Sequence, residues 1–152
     1  MITISELEGR LGQELGVSAW REVTQADIDA FAHVTGDHQF IHVHEARARA
    51  ETDFGGTIAH GFLTLSLLSA FALDALPPLS GRRMGVNYGF ERVRFLSPVR
   101  TGARVRGRFT LARLEPRRTN EFLLGYDVTV EIEGSEKPAL AALWLTLAVV
   151  GE

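Results

Sequence analysis

The sequence predicts an α+β fold, with helices in its first half and an antiparallel sheet in its second. Up to Leu76, apolar residues recur at helical spacings between turn signals. After Gly81 the texture changes to long runs rich in β-branched and aromatic residues. The stretch from Ile58 to Leu76 is apolar on every face, and a helix of that kind belongs in the middle of a fold. Helices first and strands later point to a sheet wrapped on one buried helix.

Each element has its own signal. Leu7, Leu11 and Leu15 fall four apart and predict a short helix or turn within residues 1–16, weakened by Gly9, Gly12 and Gly16. Val17 to Val23 suits a short strand. Thr24 opens a helix, with Asp27 three residues on in a capping-box arrangement and Ile28, Phe31, Ala32 and Thr35 on one stripe. Gly36 suits its left-handed end. Residues 43–52 predict a short polar helix, and Phe54-Gly55-Gly56 a turn. The buried helix follows and stops at Pro77-Pro78. Strands are expected over Val86–Val99, Ala103–Leu114, Glu121–Glu133 and Ala139–Val150, with loops at Glu115–Asn120 and Gly134–Pro138.

Composition narrows the function. A chain of 152 residues is most simply one domain, 1–152, able to bury a real core. A net charge of −3 gives no basic face for nucleic acid. Zero cysteines exclude disulfides and thiol nucleophiles, and fit a reducing, cytoplasmic setting. The N-terminus has no basic start followed by an apolar run, so no signal peptide is expected. The longest apolar stretch is too short and too polar to span a bilayer, so no membrane partner is expected.

The chemistry concentrates in the connector Thr35–Gly61, which holds Asp37 and four of the five histidines: His38, His42, His44 and His60. Asp37 lies just past a helix C-terminus, whose partial negative charge makes it a poor place for a structural carboxylate. A carboxylate and an imidazole five residues apart can act together as a proton-handling pair. The same spacing also suits a turn-capping Asp and a hydrogen-bonded loop His, and that plainer reading stays open. Metal binding is disfavoured, because no H-E-x-x-H or comparable ligand spacing is present. At His60-Gly61, the start of the buried helix, Gly61 would let a carbonyl oxygen approach the backbone N–H groups; it would equally allow close packing.

The segment Gly36-Asp37-His38-Gln39-Phe40-Ile41-His42, followed by Phe54-Gly55-Gly56-Thr57-Ile58-Ala59-His60-Gly61, resembles the MaoC-like dehydratases, or R-specific enoyl-CoA hydratases. That family's usual motif is Gly-Asp-x-Asn-Pro-Leu/Ile/Val-His. Here Gln39 stands for Asn and Phe40 for Pro, a departure that resembles the nodulation protein N-like branch. The resemblance runs from Trp20 through Asn87–Val99. It implies a hot-dog fold, an antiparallel sheet wrapped around a long central helix. It also implies a homodimer and acyl thioesters of CoA or a carrier protein as substrates, without metal or redox cofactor. Carried over by position, Asp37 and His42 are the catalytic pair and Gly61 the donor to the thioester carbonyl. His60 and Ser69 would be further substrate contacts, and Phe62, Leu65 and Leu68 walls for an acyl tail. Arg82, Arg83, Arg92, Arg94, Arg117 and Arg118 are candidates for CoA phosphates. The activity so implied is reversible hydration of a 2-enoyl thioester. The alternatives are an acyl-CoA thioesterase and a non-catalytic acyl-binding dimer.

Overall fold

The computed structural model describes residues 1–151. Its first half holds six helices and two short strands: α1 (Ile4–Glu8), β1 (Glu14–Val17), β2 (Arg21–Glu22), α2 (Gln25–Thr35), α3 (Phe40–Val43), α4 (Glu45–Glu51), α5 (Gly61–Ser66) and α6 (Leu68–Ala75). Four long strands follow: β3 (Arg82–Phe95), β4 (Arg104–Arg118), β5 (Glu121–Ile132) and β6 (Leu140–Val150). The sheet is antiparallel throughout its strand pairs, in the order β1-β4-β5-β6-β3, with β2 also on β4.

Helix α2 forms as its sequence requires. Thr24 Oγ1 accepts from the Asp27 N–H, and the Asp27 carboxylate accepts from the Thr24 N–H. Such a cap contributes about 1 kcal/mol. Gly36 ends the helix at φ 78°, a left-handed conformation that glycine adopts without steric cost. The chain thereby reverses at a fixed angle, and Asp37 leaves in a defined direction.

The central helix is α5 followed by α6. Leu67 between them keeps right-handed helical angles, and its N–H still reaches the Leu63 carbonyl. The two segments therefore run on as one rod. Leu68 and Phe71 press into the sheet, where Phe109 of β4, Tyr126 of β5 and Trp144 of β6 sit with ring centroids 6.1–6.5 Å apart. This packed aromatic layer is the core of the fold.

The structure departs from the expectations at several places. The central helix is not covered all round: Phe62 is 69% and Leu73 84% exposed. The loop expected at Glu115–Asn120 is mostly strand. Chain reversal there takes only Thr119 and Asn120, with Asn120 at φ 61°, a left-handed angle that Asn tolerates. Strand β3 starts and stops four residues before the expected range. It is an edge strand, paired only with β6, and Met84, Val86, Tyr88, Phe90 and Phe95 on it are all exposed. A long edge strand carrying large apolar side chains needs a cover.

Candidate active site

The connector folds back under the start of the central helix. Residues 40–42, to which the sequence assigned no element, form with Val43 the single helical turn α3. That turn aims His42 inward, where it is 6% exposed. Phe40 occupies the first helical position, where proline is favoured because of its preset φ. Here the Arg47 guanidinium of α4 lies 4.0 Å over the Phe40 ring instead. His44 serves the local structure, since its Nδ1 accepts from the Arg47 N–H and caps α4. His38 is exposed.

His42 Nδ1 lies 2.7 Å from the Ile58 carbonyl oxygen. A carbonyl only accepts, so Nδ1 carries the proton and Nε2 of the neutral ring keeps its lone pair. Burial lowers the pKa of His42 below the usual imidazole value, and neighbouring His60 adds to this; the Ile58 carbonyl and Asp37 oppose it. The ring is thus biased toward the neutral form that can accept a proton.

Asp37, His42 and His60 each bring one oxygen or nitrogen to a common place, all within 4.8 Å of one another. Asp37 Oδ1 accepts from the Gln39 N–H at 3.2 Å, a local turn that orients the carboxylate. These are the groups that could hold a metal, but the ring geometry opposes it. The imidazoles of His42 and His60 are stacked, with centroids 3.8 Å apart and planes 23° from parallel. Near-parallel rings direct their in-plane lone pairs along similar lines, an arrangement poorly suited to the convergent ligands, at roughly 2.0–2.1 Å, that zinc takes.

The three residues and Gly61 line one cavity of about 500 Å³, whose remaining walls include Ile41, Phe54, Phe62, Phe95 and Val99. At its floor the Gly61 N–H, the first of the central helix, donates to no acceptor among the described residues. The absence of a side chain matters here: a Cβ on Gly61 would come within 2.9 Å of Phe95 Cε1. Phe95 was not anticipated as a site residue. It lies in the expected strand but carries no polar signal.

A second unanticipated feature holds the connector in place. Thr57, 1% exposed, has its hydroxyl 2.6 Å from Gln25 Oε1, 3.0 Å from Glu45 Oε2 and 2.8 Å from Thr101 Oγ1. Gln25 Nε2 in turn donates to the His42 carbonyl at 2.8 Å. Glu45 also accepts from the Thr57 N–H and from Arg49, and these bonds, led by the Thr57 N–H, hold its carboxyl at about 2. Through Gln25, helix α2 is thereby bonded to the connector at both His42 and Thr57, and Glu45 of α4 ties Thr57 back within it. The partners are too far apart in sequence to be linked by spacing.

Other expected contacts lie elsewhere. Ser69 lines a separate cavity with Arg82, Asn87, Tyr126 and Trp144, and Leu65 and Leu68 line another with Phe90. Only Phe62 of the three predicted tail-contacting residues borders the cavity lined by Asp37, His42 and Gly61. His60 borders it too, but its Nε2 is bonded to the Asp37 carbonyl at 3.0 Å and its Nδ1 is buried without a partner. Neither nitrogen is presented to a substrate. None of the six candidate arginines lines this cavity; Arg92 pairs with Asp127, and Arg117 lies over Tyr88.

Comparison with known proteins settles the family. The model of the MaoC like domain matches residues 6–132. The chain belongs to the MaoC-like domain family. It is 54% identical to nodulation protein N of Rhizobium leguminosarum bv. viciae over 96% of this chain and 91% of that one. It is 41% identical to 3-hydroxyacyl-thioester dehydratase Z of Mycobacterium tuberculosis over 92% and 91%. Among solved structures it resembles R-hydratase PhaJ1 from Pseudomonas aeruginosa, with a TM-score of 0.73 and 25% identity over 97% and 86%. A monoamine oxidase regulatory protein from Archaeoglobus gives a TM-score of 0.76 and 26% identity over 93% and 92%. The MaoC-like chain thus has the hot-dog fold, and its relatives include dehydratases and hydratases.

Proposed function

We propose that this MaoC-like protein is an R-specific enoyl-CoA hydratase, adding water reversibly to a trans-2-enoyl thioester to give the 3R-hydroxyacyl product. One observation carries the reading: a carboxylate, a neutral buried imidazole and an unpaired helix N–H meet at one largely apolar cavity. With the thioester oxygen on the Gly61 N–H, the enoyl carbons lie before Asp37 and His42. Water is held by the pair, and one member takes its proton as the oxygen bonds to C3. The C2=C3 electrons move onto the thioester oxygen, where the Gly61 N–H and the helix dipole stabilise the developing charge. The proton is then returned to C2. Because the same pair takes and returns it, both additions fall on one face, and the hydration is syn. Water and product balance without metal or redox cofactor.

The acyl tail extends along the apolar wall, and CoA or a carrier protein remains outside. The working unit is a homodimer. The uncovered β3 edge, with Tyr88 and Phe90, and exposed Phe62 and Leu73 on the central helix supply the apolar surface that a second copy would cover.

The test is purified protein with crotonyl-CoA. The reading expects loss of enoyl absorbance, a 3R product and no free thiol. Thiol release, read with a thiol dye, identifies a thioesterase. Tight acyl-CoA binding without turnover across chain lengths identifies a binding module.

A further inference from the structure

We propose that His60 is a positioning residue, whose tether to the Asp37 backbone fixes the carboxylate relative to the His42 imidazole on which its ring lies. The proposal rests on the hydratase reading of the same site.

His60 is 3% exposed and is held on three sides. Its Nε2 sits 3.0 Å from the Asp37 carbonyl oxygen; since that oxygen only accepts, Nε2 must carry the proton. One ring face lies on His42 at 3.8 Å, and Phe31 of α2 approaches at 4.9 Å, tilted by 55°. The ring therefore has no room to turn. Its Nδ1 is then left as a lone acceptor with no partner. Buried polar atoms are nearly always paired, so an unpaired one in a site is a feature that needs a reason. Phe or Leu at this position would pack without that cost. What an imidazole adds over those residues is the single N–H aimed at Asp37.

Asp37 needs such an anchor. It is exposed, and its other bonds are local: its N–H reaches Thr35 Oγ1 at 3.4 Å, and its Oδ1 takes the Gln39 N–H. The His60 tether is the bond that joins it to the central helix, and through the His60 backbone to the Gly61 N–H. His42 is anchored to the other side of the same segment by the Ile58 carbonyl. The stacked rings thus carry opposite tautomers: His42 protonated on Nδ1, His60 on Nε2. Together they register Asp37, His42 and Gly61 on one three-residue frame, Ile58–His60.

Two variants separate tether from stack. His60→Phe keeps an aromatic ring and loses the donor. His60→Gln keeps a donor near the Nε2 position and loses the stack. With melting temperatures near wild type, His60→Phe is expected to lower kcat for crotonyl-CoA hydration by about tenfold to a hundredfold with KM nearly unchanged, the scale of misplacing a reacting group. His60→Gln is expected to recover most of that loss. Equal losses in both variants, or none in either, overturn the proposal.

Nitrogen NMR of the wild-type imidazoles at pH 8 keeps the idea testable if a variant fails to fold. The expected result is Nε2–H for His60 and Nδ1–H for His42; Nδ1–H on His60 overturns the tether. If the wild-type protein hydrates no 2-enoyl thioester, the hydratase reading falls separately. The tether is then judged by amide exchange at Gln39, expected to be faster in His60→Phe and restored in His60→Gln. Unchanged exchange overturns it.

Discussion

Replacing Thr57 with valine tests whether the connector is held by the hydroxyl at its centre. Valine nearly matches threonine in shape, so the change removes the oxygen's bonds without opening a cavity. The Thr57 hydroxyl has one proton, although Gln25 Oε1 and Glu45 Oε2 both lie within reach. It can donate to Gln25 and accept from Thr101 at once; the Thr101 hydroxyl, also 3.1 Å from Gln25 Oε1, can share that acceptor instead. Counting only the neutral bonds to Gln25 and Thr101, at about 0.5–1.5 kcal/mol each, the loss is about 1–3 kcal/mol. At roughly 2–4 °C per kcal/mol for a domain of this size, the melting temperature should fall by roughly 2–12 °C. Calorimetry at matched protein concentration checks it, since self-association makes a melting temperature depend on concentration. Gln25 also holds the His42 carbonyl, so kcat should fall alongside stability. A Thr57→Val protein with unchanged melting temperature and kcat would show that the network does not anchor the connector.

Further predictions address acid stability, the oxygen site and assembly. The Glu45 carboxyl is depressed from 4.5 to about 2 in the folded protein, so its stabilising effect is complete above about 4.5 and is lost as pH falls toward 2. Urea midpoints should therefore decline across that window, and Glu45→Gln should flatten that part of the decline. Gly61→Ala places a methyl against the half-exposed Phe95 ring, which must swing away. The fold should persist, while kcat falls about tenfold or more because the carbonyl can no longer approach the N–H; an unchanged kcat would remove Gly61 from the mechanism. Sedimentation should give twice the 16.7 kDa chain mass, and Phe90→Glu on the open edge of β3 should shift the protein toward single chains.

The order of elements was readable because periodicity and caps are local signals. Thr24, Asp27 and Gly36 delimit α2 through contacts within a few residues, and the alternating burial of Val105, Gly107, Phe109 and Leu111 in β4 follows from one buried face, whereas residues 123–126 of β5 are buried on both faces. Asp37, His42 and Gly61 were nominated by their types and neighbours, and they do line a common cavity. What local pattern could not supply was long-range pairing. Thr57 meets Gln25 and Thr101 across 32 and 44 residues of chain. The Phe40 ring of the helical turn is covered by the Arg47 guanidinium of the next helix. Ser69 was carried over by motif position alone, and one helical rod presents Gly61 and Ser69 to different cavities. Phe62 and Leu73 read as core because hydrophobicity alone does not distinguish a domain interior from an exposed apolar surface.

The most direct test of the catalytic account is the rate of crotonyl-CoA hydration by Asp37→Asn. The amide keeps the shape of the side chain and its acceptor for the Gln39 N–H, while losing the ability to take a proton. A fall in kcat of about a hundredfold or more, with the fold intact, is the predicted result. A variant as fast as wild type would contradict the assignment of Asp37 as a proton acceptor.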